Sequence, residues 1–524
     1  MEFDAIIIGS GFGGAVSACR LAQAGYRVLV LERGRRWSAK SYPRRDEDAW
    51  WWSNEDPERW NGWLDLRVFE NIAVAQGAAV GGGSHIYANI SAVPDPALFE
   101  TGWPAEITWE RMAPLYDTVG RVMGVAQLPD NQRSKKFSLM QDAAKAIGAE
   151  DRFQKLDLAV SFDPDLDTSK PAAYNVHNSK RFVNEHGVEQ GTCVHLGNCD
   201  IGCEVDAKNT LDRNYLAIAE RKGADVRPLH LVSFIEPDGT RYKVHYHRLT
   251  NGRREAGVAS ARMVILSAGS ISSTEILLRC RTVGRTLPKI SKRLGYNWCS
   301  NGDFLTPALY PQRAVEPTQG PTITAAINFQ DGEHRGHRFW IQDGGFPNVV
   351  ANWIASGRPK DLRVRAFQQA FVAAMREFGP VEHTMPWFAQ GMDNAGGRLR
   401  LRRQGWFSGS YDLRLDWSSS DAAPVIEAII DMHKKLSKAT GGIPLVPPTW
   451  TLDRYLITPH PLGGCGMGTS AKNGVVDHKG EVFNYRNLFV IDGAMLPKAV
   501  GVNPSRTIAA LAEHAVSEIV REGR

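Results

Sequence analysis

The chain has 524 residues, 43% of them apolar, and its 62 Lys and Arg against 57 Asp and Glu leave a net charge of only +5. That much apolar residue builds the core of two domains, or of one domain with a large insertion, and excludes a disordered protein. Mixed charges argue against a nucleic-acid partner, and no apolar run reaches the ~18 residues of a spanning helix, so no transmembrane segment is expected.

From Met1 the chain runs straight into Phe3–Ile8, an apolar run of strand length, with no basic start or cleavage site. No secretory signal is therefore expected, and the odd count of seven cysteines fits a reducing compartment, the cytoplasm. The strand enters Gly9-Ser-Gly-Phe-Gly-Gly14, which fits G-x-G-x-x-G through Gly9, Gly11 and Gly14, with Phe12 and Gly13 between. An Ala/Leu-rich helix follows to about Gln23, Gly25 ends it, and Arg27–Glu32 reads as the second strand. The glycines allow a tight turn, close approach to a pyrophosphate and close helix–strand packing, while the helix start offers N–H donors to phosphate.

Glu32, 18 residues after Gly14, stands where an acid accepts from an adenosine ribose. It disfavours the 2′-phosphate that Arg33, Arg35 and Arg36 would otherwise suggest; these read as a basic loop, Arg33 nearest the nucleotide. No second G-x-G-x-x-G follows, which excludes a reductase built on two such folds. Between Trp37 and Trp63 lie Trp50, Trp51, Trp52 and Trp60. This stretch is read as a lid over the bound cofactor, a channel wall, a membrane contact or plain interdomain packing.

Cys193, Cys199 and Cys203 match no common metal spacing and are read as structural thiols, and Cys465 as a packing residue. Asn487–Asp492 is an apolar strand ending in Asp492-Gly493, an acid placed to hold the ribityl hydroxyls of a flavin. FAD is therefore the expected cofactor. Thr458–Gly468 places His460 between two prolines, and Gly501–Thr507 places Asn503 before Pro504, with Ile508, Leu511, Ala512, Val516 and Ile519 at helical spacing beyond. An imidazole with a pKa of about 6.5 suits the proton that leaves an alcohol as it is oxidised.

Together these segments resemble the glucose-methanol-choline (GMC) flavin oxidoreductases, and within them the bacterial cholesterol-oxidase-like branch. The stretches that carry the resemblance are Gly9–Glu32, Gly77–Asn89, Ala207–Asn214, Val264–Ser270 and His460–Thr507. It implies an α/β (α+β overall) fold. A Rossmann-like FAD-binding domain would comprise 1–97, 191–302 and 456–524, and a discontinuous sheet-and-helix substrate domain 98–190 and 303–455. It further implies cofactor contacts at Gly77, Gly81, Gly82, Gly83, Ser84, Tyr87, Asn89 and Ile90. Others fall at Val232, from a strand across 224–233, at Ala268 and Gly269, and at Pro504 and Ser505. Tyr87 stands where many relatives have asparagine. His460 would be base or hydroxyl orienter and Asn503 its partner at the substrate oxygen; asparagine there is what points to the cholesterol-oxidase-like branch.

The expected reaction is oxidation of a hydroxyl on a hydrophobic molecule, a steroid among the candidates, with O2 or another acceptor and non-covalent FAD. Trp340, Phe346, Trp353, Trp387, Phe388 and Trp406 suit such a substrate. The alternatives are desaturation, reduction or isomerisation of a cyclic ketone on the same scaffold, and an electron-relay flavoprotein without turnover. No carboxylate for isomerisation is identifiable, and His85, His195 and His383 read as ordinary polar residues.

Overall fold

Phe3–Ile8 lies within a seven-stranded sheet of the computed structural model, which describes residues 2–45, 48–170, 173–347, 381–405 and 410–524. Val28–Leu31 and the C-terminal half of Arg253–Leu266 run parallel on either side of it; Asp225–Arg227 and Leu488–Val490 extend the parallel set. Val28–Leu31 is buried along its whole length, which is why it reads as an unbroken apolar run and not as an alternation.

The stretch read as one strand across 224–233 is two. Pro228 lacks an N–H and Leu229 takes φ +59°, so the chain leaves the parallel edge after Arg227. It restarts as His230–Asp238, antiparallel to Arg241–Thr250.

A second, antiparallel sheet orders its strands Ile443–Pro444, Phe304–Leu309, Thr384–Gly391, Phe339–Asp343, Ala325–Phe329 and Phe153–Lys155. Helices Lys135–Ala146 and Ala423–Ala439 pack on it. The latter turns Val425, Ile426, Ile429, Met432 and Leu436 inward at helical spacing. Arg398–Arg403 pairs with Tyr411–Asp416 in a separate ribbon. A third sheet joins Leu64–Val68, Ile72–Gly77 and Leu456–Thr458, the last leading directly into His460.

Helix Trp109–Val122, within the stretch assigned to the substrate domain, packs on the last helix, Ser505–Arg521. The Tyr116 hydroxyl meets Thr507 Oγ1 at 2.9 Å, and Arg506 Nε donates to Tyr116 O at 2.9 Å. Among the described residues no helix is long and apolar enough to cross a membrane.

Candidate active site

Three helices begin at one cavity: Phe12–Gln23, Gly269–Thr282 and Ser505–Arg521. None carries an N-cap side-chain bond or an acid in its first turn, so the positive dipole ends of all three face the space, although the Gly269 N–H is taken by Asp492. The cavity holds 1910 Å³, against about 1,000 Å³ at the top of the range for one small-ligand pocket. It has room for a cofactor and a substrate together.

Glycine makes the cradle. A Cβ on Gly13 would lie 1.7 Å from Ile491 O, so only glycine lets the first helix start against the end of strand Leu488–Val490. Gly82, at φ +51°, sits so close to Gly11 that a Cβ would come 2.7 Å from the Gly11 Cα. A Cβ on Gly11 would meet no protein atom within 4 Å and would project into the cavity. An open, donor-rich wall of this kind fits the pyrophosphate of FAD.

Two acids frame it. Glu32 Oε2 accepts from Ser10 N (2.9 Å) and Ser10 Oγ (2.7 Å), and Oε1 from Gly34 N (2.8 Å). Oε1, with one donor, keeps acceptor capacity for a ribose hydroxyl at the cavity wall. Asp492 Oδ2 accepts from Gly269 N (2.8 Å) and Ser273 Oγ (2.6 Å), and Oδ1 from Ala494 N (2.8 Å). Burial raises its pKa while these donors lower it. Beyond lining the cavity, Asp492 therefore ties a strand end to the start of helix Gly269–Thr282.

Of the residues singled out from sequence, Gly9, Gly11, Phe12, Gly13, Glu32 and Arg33 line the cavity, as do Gly77, Gly82, Gly83, Tyr87, Ile90 and Val232. So do Ala268, Gly269, Asp492, Gly493, Asn503, Pro504, Ser505 and His460. Four lie behind the wall. A Cβ on Gly14 would meet Gly9 O at 2.1 Å, so Gly14 serves helix–strand packing. Gly81 N donates to Ser10 Oγ, and Ser84 Oγ donates to Gly81 O and accepts from Leu211 N. Asn89 is fully buried at φ +66°, its main-chain oxygen accepting from Ala159 N.

At the other end, His460 is held from three directions. Its main-chain N donates to Thr458 Oγ1 (2.9 Å), and its Nδ1 lies 2.7 Å from Asp303 Oδ1. Its Nε2 lies 3.5 Å from Asn503 Nδ2. Thr458 Oγ1 also lies 2.5 Å from Asp303 Oδ2. The Asp303 side chain is fully buried, which raises its pKa, and His460 beside it opposes that rise. Asn503 Oδ1 accepts from Gln342 Nε2 at 2.7 Å.

Asp303 and Gln342 carry no signal in the sequence. Asp303 immediately precedes strand Phe304–Leu309, and Gln342 stands in register with Phe388, itself opposite Leu305. Leu305 and Phe388 line the cavity, with Phe69, Ile323 and Phe346. The second sheet thus supplies apolar wall and polar support on neighbouring strands.

Trp50, Trp51, Trp52, Trp60 and Trp63 border the cavity, while Trp37, Trp50 and Trp63 pack together in one buried cluster, so the stretch supplies both wall and packing. Trp340 and Trp387 are core residues; Trp353 and Trp406 lie outside the described residues. His85 is buried, with Nδ1 2.7 Å from the Tyr42 hydroxyl and Nε2 2.7 Å from Val80 O. His195 meets Gln132 and His383 meets main-chain oxygens. Cys193, Cys199 and Cys203 are free thiols, Cys203 Sγ accepting from Ala207 N, and burial pushes the Cys465 thiol up to about 12.

Comparison with known proteins agrees with this geometry. Residues 393–512 match the family model for GMC oxidoreductase, and residues 7–56 that for an NAD(P)-binding Rossmann-like domain. A cholesterol oxidase of Acinetobacter baumannii is 31% identical over 99% of this chain and 94% of its own. A long-chain-alcohol oxidase of Arabidopsis thaliana is 25% identical over 99% of this chain and 67% of its own. The crystal structure of pyridoxine 4-oxidase from Mesorbium loti superposes with a TM-score of 0.64 at 15% identity, covering 99% of both chains, and shares the fold. Cradle, Rossmann-like sheet and full-length similarity lead to one conclusion: the chain belongs to the GMC oxidoreductases, FAD-dependent enzymes that oxidise alcohols.

Proposed function

We propose that this enzyme oxidises a hydroxyl group on a hydrophobic, sterol-like small molecule, with O2 as the electron acceptor. The observation that carries the proposal is the environment of His460: Asp303 occupies Nδ1, and Nε2 is left at the cavity beside Asn503. His460 Nε2 takes the hydroxyl proton, and Asn503 Nδ2 donates to the substrate oxygen. The bound FAD supplies the hydride acceptor. Leu305, Ile323, Phe346 and Phe388 enclose the rest of the substrate, and the start of helix Ser505–Arg521 sets a positive dipole end beside Asn503.

In this reading the cofactor lies along Gly9–Gly13, Glu32, Gly82, Gly83, Ala268, Gly269 and Pro504. Segments 1–97, 191–302 and 456–524 hold it, and 98–190 and 303–455 bound the substrate. Attachment is non-covalent, because both ring nitrogens of His85, the histidine in the glycine loop, already have partners. Seven unpaired thiols favour a cytoplasmic setting. Supporting the substrate class is the full-length similarity to a cholesterol oxidase.

The test is hydrogen peroxide formation by the purified holoenzyme on 3-hydroxysterols, long-chain primary alcohols and sugars. Turnover of a sterol or another bulky apolar alcohol, with none on sugars, is expected. Peroxide from sugars alone would overturn the substrate class.

A further inference from the structure

We infer that Asp303 is a positioning residue for this reaction: its carboxylate fixes the tautomer of His460 in which Nδ1 carries the proton and Nε2 is the free acceptor at the cavity. The inference rests on His460 being the base, as proposed above.

Two contacts agree on that tautomer. An ionised carboxylate only accepts, so at 2.7 Å from Asp303 Oδ1 the Nδ1 must be the donor. From the opposite side, Asn503 Oδ1 is committed to Gln342 Nε2, which turns the Asn503 NH2 group toward His460 Nε2. Two donors do not face each other, so Nε2 carries the lone pair. Asp303 is itself fixed: its side chain is fully buried, and the Thr458 hydroxyl that braces Oδ2 also receives the His460 main-chain N–H. The same strand end, Leu456–Thr458, therefore places the imidazole and the group that steadies its partner.

The carboxylate also acts on the charge that develops. When the substrate O–H bond breaks, its electron pair stays on oxygen and its proton goes to His460 Nε2, while the Nδ1 proton stays in place. The imidazolium so formed sits 2.7 Å from the buried Asp303 carboxylate, an attractive pair in a water-poor setting. No proton passes to Asp303. Its other ring-side partner, Asn503, is uncharged, as is Thr458, so among the described residues Asp303 is the charged group in hydrogen-bond contact with His460.

The test compares the parent holoenzyme with Asp303→Asn and His460→Gln, each at matched flavin content, through the pH profile of kcat/KM. Asparagine keeps the shape but removes the charge. Asp303→Asn should lower kcat on the order of 10- to 100-fold and move the acid limb of kcat/KM to lower pH. A merely structural role would leave that limb in place. A parent-like plateau and acid limb in Asp303→Asn, with His460→Gln inactive, would overturn the role of Asp303 and leave His460 standing. A fully active His460→Gln would instead sink the base assignment. If Asp303→Asn does not fold, ¹⁵N-histidine NMR of the parent, assigned by difference from His460→Gln, decides: protonated Nδ1 is expected, and protonated Nε2 alone would contradict the inference.

Discussion

Gln342 Nε2 donates a 2.7 Å hydrogen bond to Asn503 Oδ1 across 161 residues of sequence, joining the second sheet to the turn before the last helix. Gln342 is fully buried, so removing its amide leaves Asn503 free to rotate and its carbonyl unpaired. Gln342→Met should lower kcat/KM by roughly 5- to 150-fold, from the ~1–3 kcal/mol cost of an unpaired buried group, with FAD content unchanged. Steady-state kinetics alongside the flavin-to-protein absorbance ratio read this directly, and parent-like kinetics would show that Asn503 needs no orientation.

Gly11 and Gly13 separate cofactor binding from folding. Alanine at Gly11 meets no protein atom but enters the cavity, so Gly11→Ala should keep the thermal stability of the apoprotein and weaken FAD binding. Alanine at Gly13 collides with Ile491 O, so Gly13→Ala should lose soluble protein or melt far lower even without FAD. Apoprotein melting curves and FAD titrations distinguish the two; equal effects on both properties would contradict the packing described here.

What the sequence reveals follows from how local each cause is. The strand, glycine turn and helix of 3–23 are legible because their hydrogen bonds and close contacts fall within a few residues, and the last helix shows because Pro504 and a 3.6-residue period act locally. Asp492 is legible as an important acid, but its three donors come from Gly269, Ser273 and Ala494, two of them over 200 residues away, so its tie to the helix start is not. Asp303 and Gln342 are invisible for the same reason: single polar residues beside apolar strands, given meaning only by sheet register. The break at Pro228 and Leu229 was within reach, since proline inside an apparent strand argues against its continuity.

Acid should destabilise the fold through buried neutral histidines. Burial pushes His195 and His514 down to about 4 and His433 down to about 3. Their folded pKa values lie below the unfolded value of about 6.5, so the unfolded chain binds more protons in this window. The stability they contribute is complete above about pH 6.5 and is lost as pH falls through about 4. Denaturant melts should show stability falling by up to about 4 kcal/mol per pH unit for three such groups, and His433→Gln should reduce that slope by about one third. A flat profile between pH 7 and 5 would contradict their neutrality.

Lys136 and Asp343 form a fully buried pair; the Lys136 ammonium donates to Pro321 O and Thr322 O at 2.9 Å and lies 3.3 Å from Asp343 Oδ2. Lys136→Met strands the Asp343 charge and should cost about 3–5 kcal/mol, with a higher KM because Thr322 and Ile323 line the cavity. Adding Asp343→Asn should recover part of the stability. Thermal melts of the single and double variants check this, and a Lys136→Met protein as stable as the parent would refute it.

The most direct test of the account is anaerobic mixing of the parent and His460→Gln holoenzymes with a 3-hydroxysterol, a long-chain alcohol, a sugar and a steroid enone, following the oxidised-flavin absorbance. The account predicts rapid bleaching of the parent by a hydrophobic alcohol, none by the sugar or the enone, and bleaching slowed on the order of 100-fold or more in His460→Gln. Equal bleaching rates in the two proteins, or a dithionite-reduced parent reoxidised by the enone while no alcohol bleaches it, would contradict the assignment of His460 to alcohol oxidation.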